Sequence, residues 1–386
     1  MAKRGFLHSG YVLIVVLSLV SCRKDIGKFC DCDQDDIVAS VSVFASGLNN
    51  PRGLTFGPDG NLYVAEGGIG GTNSTVGKCT QVLPPVGPYT GSNTGARILK
   101  VDKNGRITIA ADKLPSSQTS AALGNLISGV GDVAFLGNTL YAVLAGAGCS
   151  HGVTGIPNGI VKVHSNTTWD IIANLSEWQM SHPVAQPEED DFEPDGTWYG
   201  MEAVGGNLYA VEPNHGEIVK VNREGKIDRL IDISASQGHI VPTAIAFYKG
   251  NFYVGNLDVF PITGKSKVYK VTPAGTISVV EEGFSTILGI VFDKAGGMYV
   301  LENTTGNGNV NPTPGTGDIV RIDPSGKRRT LVTGLNLPTA LEYGPDGNLY
   351  VSNWGFGQPA KGGGEILKVK IGCERDHHMN WHDLIR

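Results

Sequence analysis

One stretch of the chain is written twice. "GLNNPRGLTFGPDGNLYVAE", residues 47–66, returns as "GLNLPTALEYGPDGNLYVSN", residues 334–353. A unit repeated within one chain usually cannot bury its apolar face alone, so the repeat dictates the architecture before anything else is read. Its Leu-Tyr-Val strand can be followed through the chain as "NLYVAE", "TLYAVLA", "NLYAVE", "NFYVGN", "GMYVLE" and "NLYVSN", with Tyr63, Tyr141, Tyr209, Tyr253, Tyr299 and Tyr350 as markers. Each marked strand is preceded by an apolar strand and a Gly turn. Later come two alternating strands around Asn-Gly, Glu-Gly, Ala-Gly or Ser-Gly, as in "ARILKVDKNGRITIAA" and "GEIVKVNREGKIDRLI". Such turns need positive φ and mark hairpins.

The sixth copy lacks a fourth strand after "GEILKVKIG", whereas "DIVASVSVFASGL" at 36–48 is a fourth strand without the three before it. Six four-stranded units, one of them completed from the opposite terminus, describe an all-β, six-bladed β-propeller. Radial repetition leaves such sheets with only short, protected edges. The period-2 pattern excludes helical repeats, and a β-sandwich would leave the complementary ends unexplained. The two near-identical stretches are then the first and last blades, which meet when the ring shuts.

The marker tyrosines are separated by 78, 68, 44, 46 and 51 residues, so the early blades carry insertions. In a four-stranded blade the turns joining strands 1–2 and 3–4 share one face of the disc, and the 2–3 and 4–1 connections share the other. Every long insertion is of the second kind: 67–94, 145–157, 175–197, 257–266, 303–316 and 354–363. Long loops on a rigid scaffold are where binding concentrates. The long-connection face is therefore the expected functional face.

Three residues after each marker Tyr stand Glu66, Leu144, Glu212, Asn256, Glu302 and Asn353. They either form a ligand- or cation-facing ring or satisfy loose backbone N–H groups of the next loop. In the first strands the second aligned position is Arg52, Gly131, Tyr199, Thr243, Leu288 and Thr339, which places Arg52 and Tyr199 at the central mouth. Arg52 is expected to contact an anion or to partner a carboxylate. The third position is mostly small, Asp132 excepted.

His215 and Trp354 complete the candidate binding set on this face. His151, His182 and His239 share it, and Trp198, Phe260 and Phe356 could stack on a planar ligand. The acidic run Pro187–Gly196 offers oxygen atoms to Ca²⁺ without EF-hand spacing, and "GTNSTVGKC" misses the phosphate-loop spacing by one residue. No catalytic residue and no resident metal are assigned.

The first 22 residues, "MAKRGFLHSGYVLIVVLSLVSC", place Lys3 and Arg4 before an apolar run too short to span a bilayer comfortably. The ending Leu-Val-Ser-Cys resembles a lipobox, which makes Cys22 the expected lipidation site after cleavage of residues 1–21. A tether at 22–35, the propeller at 36–372 and a tail at 373–386 follow. This predicts a protein held by lipid on a bacterial envelope membrane, facing the periplasm or cell surface, with an unidentified ligand or envelope protein as partner. Cleavage removes two cations and no acid, taking the formal charge from −6 to −8. An acidic chain without a basic cluster is not a nucleic-acid binder. An oxidising compartment permits disulfides. Cys79 and Cys149 fall in corresponding connections of blades one and two, and Cys373 lies beside the start of the closing strand, where Cys30 or Cys32 could reach it.

"NNPRGLTFGPDGNLYVAEGG", "VPTAIAFYKGNFYVGNLDVFPITGKSKVYKV" and "LPTALEYGPDGNLYVSNWG" resemble the ScyD/ScyE family of exported, NHL-repeat-like propellers over roughly residues 40–372. Where that family has Asn-Pro-Tyr-Gly before blade three, this chain has Thr197-Trp198-Tyr199-Gly200. The resemblance implies fold and export and attaches no general reaction. Two classes of function remain open: a non-catalytic binding or scaffold lipoprotein, and a Ca²⁺-dependent hydrolase like the lactonase propellers. The mouth positions are a poor oxygen-ligand set for the second.

Overall fold

The computed structural model describes residues 37–258, 264–305, 312–355 and 361–373. Cys22, Cys30, Cys32, Phe260, Phe356 and the His378/His382 tail lie outside the described residues. The closing strand β1 (Ile37–Leu48) is followed by blade one: β2 (Pro51–Phe56), β3 (Leu62–Glu66), β4 (Thr90–Val101), β5 (Ile107–Gln118) and a short fifth strand, β6 (Ile127–Ser128). Blade two holds β7 (Val130–Leu136), β8 (Thr139–Leu144), β9 (Gly159–Val163) and β10 (Trp169–Asn174), with helix α1 (Leu175–Ser181) after it. Blade three holds β11 (Met201–Val204), β12 (Asn207–Glu212), β13 (Glu217–Val221) and β14 (Ile227–Asp232), with the one-turn α2 (Ser234–Gln237) after it. Blade four is β15 (Pro242–Tyr248), β16 (Asn251–Asn256), β17 (Ser266–Val271) and β18 (Ile277–Phe284). Blade five is β19 (Ile287–Phe292), β20 (Met298–Glu302), β21 (Gly317–Ile322) and β22 (Arg328–Leu335). Blade six contributes β23 (Ala340–Tyr343), β24 (Leu349–Asn353) and β25 (Gly364–Cys373).

All pairings within blades are antiparallel, and the last sheet runs β1-β25-β24-β23. Ile37 stands opposite Cys373 and Leu48 opposite Gly364, so the ring closes as the complementary ends require. Blade one departs from the expected four strands. Its β4–β5 hairpin is twelve residues on each side, and β6 adds to its far end through Ser117 and Gln118. The long hairpin shortens the expected connection 67–94 to 67–89.

Apolar residues of the second and third strands, such as Val64, Ile98, Val219, Val254, Val300 and Val351, are wholly buried between neighbouring blades. Each such side chain is worth about 1.5–3 kcal/mol of burial. The repeat also carries a polar buttress on the short-turn face. Tyr63 donates to Asp59 (3.0 Å), and Lys100 pairs with the same carboxylate (2.7 Å) while lying over the Tyr63 ring. Tyr350, Asp346 and Lys368 repeat this in blade six, and Tyr299, Asp293 and Arg321 in blade five. Blades two, three and four keep the cross-strand pairs Tyr141–Lys162, Tyr209–Lys220 and Tyr253–Lys270. Their shorter first turns, "LGN", "GGN" and "KGN", supply no Asp.

Candidate functional site in the axial channel

The innermost strands of all six blades enclose a cavity of about 450 Å³ on the ring axis. Its wall brings together three acids, Asp132, Glu202 and Glu342, from blades two, three and six. Asp132 is pinned: Val133 N–H donates to its Oδ1 (2.7 Å) and Met201 N–H, on the next blade, to its Oδ2 (2.8 Å). Only a glycine fits beside it, since a Cβ on Gly53 would lie 1.8 Å from that Oδ1.

All three carboxyls are walled in by protein while keeping part of their surface open to the channel. Loss of hydration there raises Asp132 to about 7. It raises Glu202 to about 8, with repulsion from Asp132 adding to the effect. Glu342 also rises to about 8, by desolvation first and then by the charges of Glu202 and Asp132. Near neutral pH the trio therefore holds protons that ordinary carboxylates would have lost. Among the described residues no three His, Cys, Asp or Glu side chains are gathered closely enough to hold a metal ion.

Tyr199 and Arg52 stand where the first-strand alignment places them. The Tyr199 hydroxyl donates to the carbonyl of Thr339 (3.0 Å) on the opposite blade, so the ring crosses the channel like a bar on its long-connection side. The Arg52 guanidinium lies 5.9 Å from the centre of that ring and donates to the carbonyl of Ile127. A backbone carbonyl and an aromatic ring are thus two partners of the Arg52 guanidinium. Thr243 and Thr339 spend their hydroxyls on Ile287 and Pro51 carbonyls of adjoining blades (2.6 and 2.7 Å).

The strand-end acids and amides do not converge on the axis. Each latches the connection leading into its own blade. Asn49 N–H donates to Glu66 (2.7 Å), Thr197 N–H to Glu212 (3.0 Å), Ser285 N–H to Glu302 and Asn336 N–H to Asn353 (2.9 Å). Asn256 donates to the Ile240 carbonyl (2.8 Å) and accepts from Lys267 N–H (2.6 Å). Where blade two has Leu144, a backbone bond from Ala145 to Gly129 does the same task (2.7 Å). Glu66 is further paired with Arg97, and Glu217, the cross-strand neighbour of Glu212, with Arg229 (2.6 Å).

Glu302 faces Asp318 across the strand pair, and burial together with their mutual repulsion raises Glu302. A carboxyl raised in the folded state stabilises most below the ordinary carboxylate range, and that contribution is lost as pH rises through the raised value. Glu302→Gln should therefore leave stability in acid nearly unchanged and remove a loss that accrues as pH rises from the ordinary carboxylate range to about 8, so that at about pH 9 the variant gains roughly 1–2 kcal/mol relative to its parent. Urea unfolding at the two pH values reads this, and equal losses in both proteins would contradict it.

The C-terminal part of the acidic run is folded into the scaffold, while Glu188, Glu189 and Asp190 stay exposed. Glu193 accepts from Tyr89 (2.9 Å) and Thr197 and faces the buried His151 at 3.1 Å, and Asp195 accepts from Ser150 (2.7 Å). His215 is buried against Gln179 (2.8 Å) and Phe192, away from any open surface. Trp198 is wholly buried between blades two and three. Trp354 sits half-buried at a positive φ, with its N–H donated to Asn336. His182 stacks on Trp178. Cys79 and Cys149 form the expected disulfide, tying the connections of blades one and two. Sequence reading missed Glu202 and Glu342; the available signal was a carboxylate in an innermost strand otherwise built of small and apolar residues.

The fold and the axial cavity define the chain as a six-bladed β-propeller. No known family profile and no curated protein matches it. Among solved structures it is similar to a Bacteroides thetaiotaomicron protein of unknown function, with TM-score 0.55 and 12% identity over 87% of this chain and 76% of the other. It is also similar to a putative oxidoreductase (glucose dehydrogenase) from Thermus thermophilus, with TM-score 0.52 and 16% identity over 86% and 100% of the two chains. A gluconolactonase from Xanthomonas campestris matches with TM-score 0.52 and 9% identity over 86% and 90%. At these identities the likeness is one of fold.

Proposed function

We propose that the protein is a binding propeller held at the envelope by lipid on Cys22, and that its ligand seat is the axial cavity beneath Tyr199. The observation that carries this reading is the meeting of Asp132, Glu202 and Glu342 in one cavity of about 450 Å³, a volume suited to a small molecule. Three mutually repelling carboxyls are relieved by positive charge. Because they are not gathered closely enough for a metal ion, the ligand they suit is an organic cation with spaced amino groups. The strand-end residues support this seat indirectly, by holding the blades that bear it. The lipid attachment at Cys22 and the envelope location rest on the sequence of residues 1–22.

Cation binding competes with protons on these carboxyls, so affinity for a probe amine should rise as pH passes through 7 to 8. Calorimetric titration of spermidine, with Ca²⁺ in parallel, at about pH 6 and about pH 9 is expected to show roughly tenfold tighter amine binding at the higher pH. Glu202→Gln with Glu342→Gln should abolish the difference. Retention of the full pH difference by the double variant, or no amine heat at either pH, sinks the reading, and tight one-site Ca²⁺ binding would favour the hydrolase class instead. Asp132, raised to about 7 and held by two backbone N–H groups, is a group suited to general acid–base work in that second reading. Lactone turnover lost in Asp132→Asn would support it.

A further inference from the structure

We propose that the short-turn face over blades two to four docks on a membrane surface rich in anionic phosphate headgroups. The inference rests on the reading that residues 22–35, lipidated at Cys22, tether the chain to a membrane. In blades one, five and six the third-strand cation of the polar buttress is neutralised by an Asp of the first turn: Lys100 by Asp59, Arg321 by Asp293 and Lys368 by Asp346. In the three consecutive blades two, three and four that Asp is missing, and Lys162, Lys220 and Lys270 form no ion pair among the described residues. Asp170 and Asp228 stand opposite Lys162 and Lys220 but pair with His164 and Lys226, and exposed Lys249 and Lys294, in the first turns of blades four and five, extend the arc of positive charge. The chain as a whole is acidic.

The direction in which the chain leaves the ring agrees. Leu48 leads into the 4–1 connection, so Ile37, at the other end of β1, enters from the short-turn face. Ile37 therefore lies on the same side of the ring as the lysines. The opposite face presents exposed Glu188, Glu189 and Asp190, which an anionic surface repels. A flat disc with an arc of cations on part of one face and an exposed acidic loop on the other is oriented by the negative surface potential within about one Debye length.

The test uses the full chain mixed with vesicles of phosphatidylcholine alone or of phosphatidylcholine with phosphatidylglycerol. Flotation on neutral vesicles reads the anchor, and amine-reactive footprinting by mass spectrometry reads the face. On anionic vesicles Lys162, Lys220, Lys249 and Lys270 should be modified several-fold less than on neutral ones, with protection lost at high salt. Lys78 and Lys361, in connections of the opposite face, should be modified equally on both. For neutralisation, Lys249→Gln with Lys294→Gln touches exposed turns only and should weaken the association of the disc roughly fivefold per lysine. The same modification on both vesicle types, or protection of Lys78 and Lys361 instead, overturns the docking even if the chain floats. Failure to float on neutral vesicles with salt-sensitive flotation on anionic ones would remove the anchor and keep the docking. Protection by soluble polyphosphate without protection on vesicles would overturn the membrane as partner.

Discussion

A chain lacking residues 37–48 will not form a cooperative native state. Those residues supply the whole fourth strand of blade six, registered with β25 from Ile37–Cys373 to Leu48–Gly364. Deleting them strips a full ladder of backbone hydrogen bonds and leaves β25 as an unpaired edge strand. Leu48, wholly buried, and Ala45 leave the cluster shared with Leu54, Val64 and Leu99 of blade one. Blades six and one then meet only through their inner strands, by Thr339 on the Pro51 carbonyl, Ser352 on the Arg52 carbonyl and Tyr350 against Phe56. A net stability of about 5–15 kcal/mol cannot absorb the loss of a ladder and a blade interface together. Size-exclusion chromatography and thermal unfolding check this. A monomeric deletion variant that melts in one sharp transition would show that closure by β1 is dispensable.

Breaking the Cys79–Cys149 bond has the next largest effect. The bond spans 70 residues and joins the long connection of blade one to that of blade two. Cross-linking a loop of that length removes about 4 kcal/mol of conformational freedom from the unfolded chain. Cys79→Ser with Cys149→Ser should therefore lower the denaturation midpoint by an amount equivalent to about 3–4 kcal/mol, with the ring intact in dilute buffer. The neighbouring connections stay together through hydrogen bonds: Thr75 donates to the Cys149 carbonyl, and Asn73 bonds to the Gly152 carbonyl (2.5 Å). An unchanged midpoint in the oxidised wild type and the double variant would mean that those bonds, rather than the cross-link, hold the connections.

The near-identity of the first and last blades in sequence has a physical cause visible only in three dimensions. "GPDGNLYV" encodes the buttress in which an Asp of the turn receives a Tyr hydroxyl and a third-strand Lys. It marks a structural unit, and its partial loss in blades two to four changes surface charge without changing the fold. The strand-end ring shows the same limitation from the other side. Glu66, Glu212, Glu302, Asn256 and Asn353 recur in register because each blade needs its entering loop latched, which spacing alone cannot distinguish from a ring of ligands.

By itself the sequence determined the six repeats, the closure by its own N-terminal strand, the crowding of long connections on one face, the Cys79–Cys149 pair and the placing of Tyr199 at the axis. These are properties of period, turn chemistry and chain order, which are local or follow from counting strands. Only the tertiary structure decided which charged groups share space. Glu202 and Glu342 are far apart in the chain, in blades three and six, and the alternation of a strand gives two faces without saying which looks along the axis. Ring closure and the twist of each sheet make that choice. Thereby three carboxyls meet in one dehydrated channel, Tyr199 reaches across to Thr339, and acids that look like ligands in the sequence are turned to backbone N–H groups.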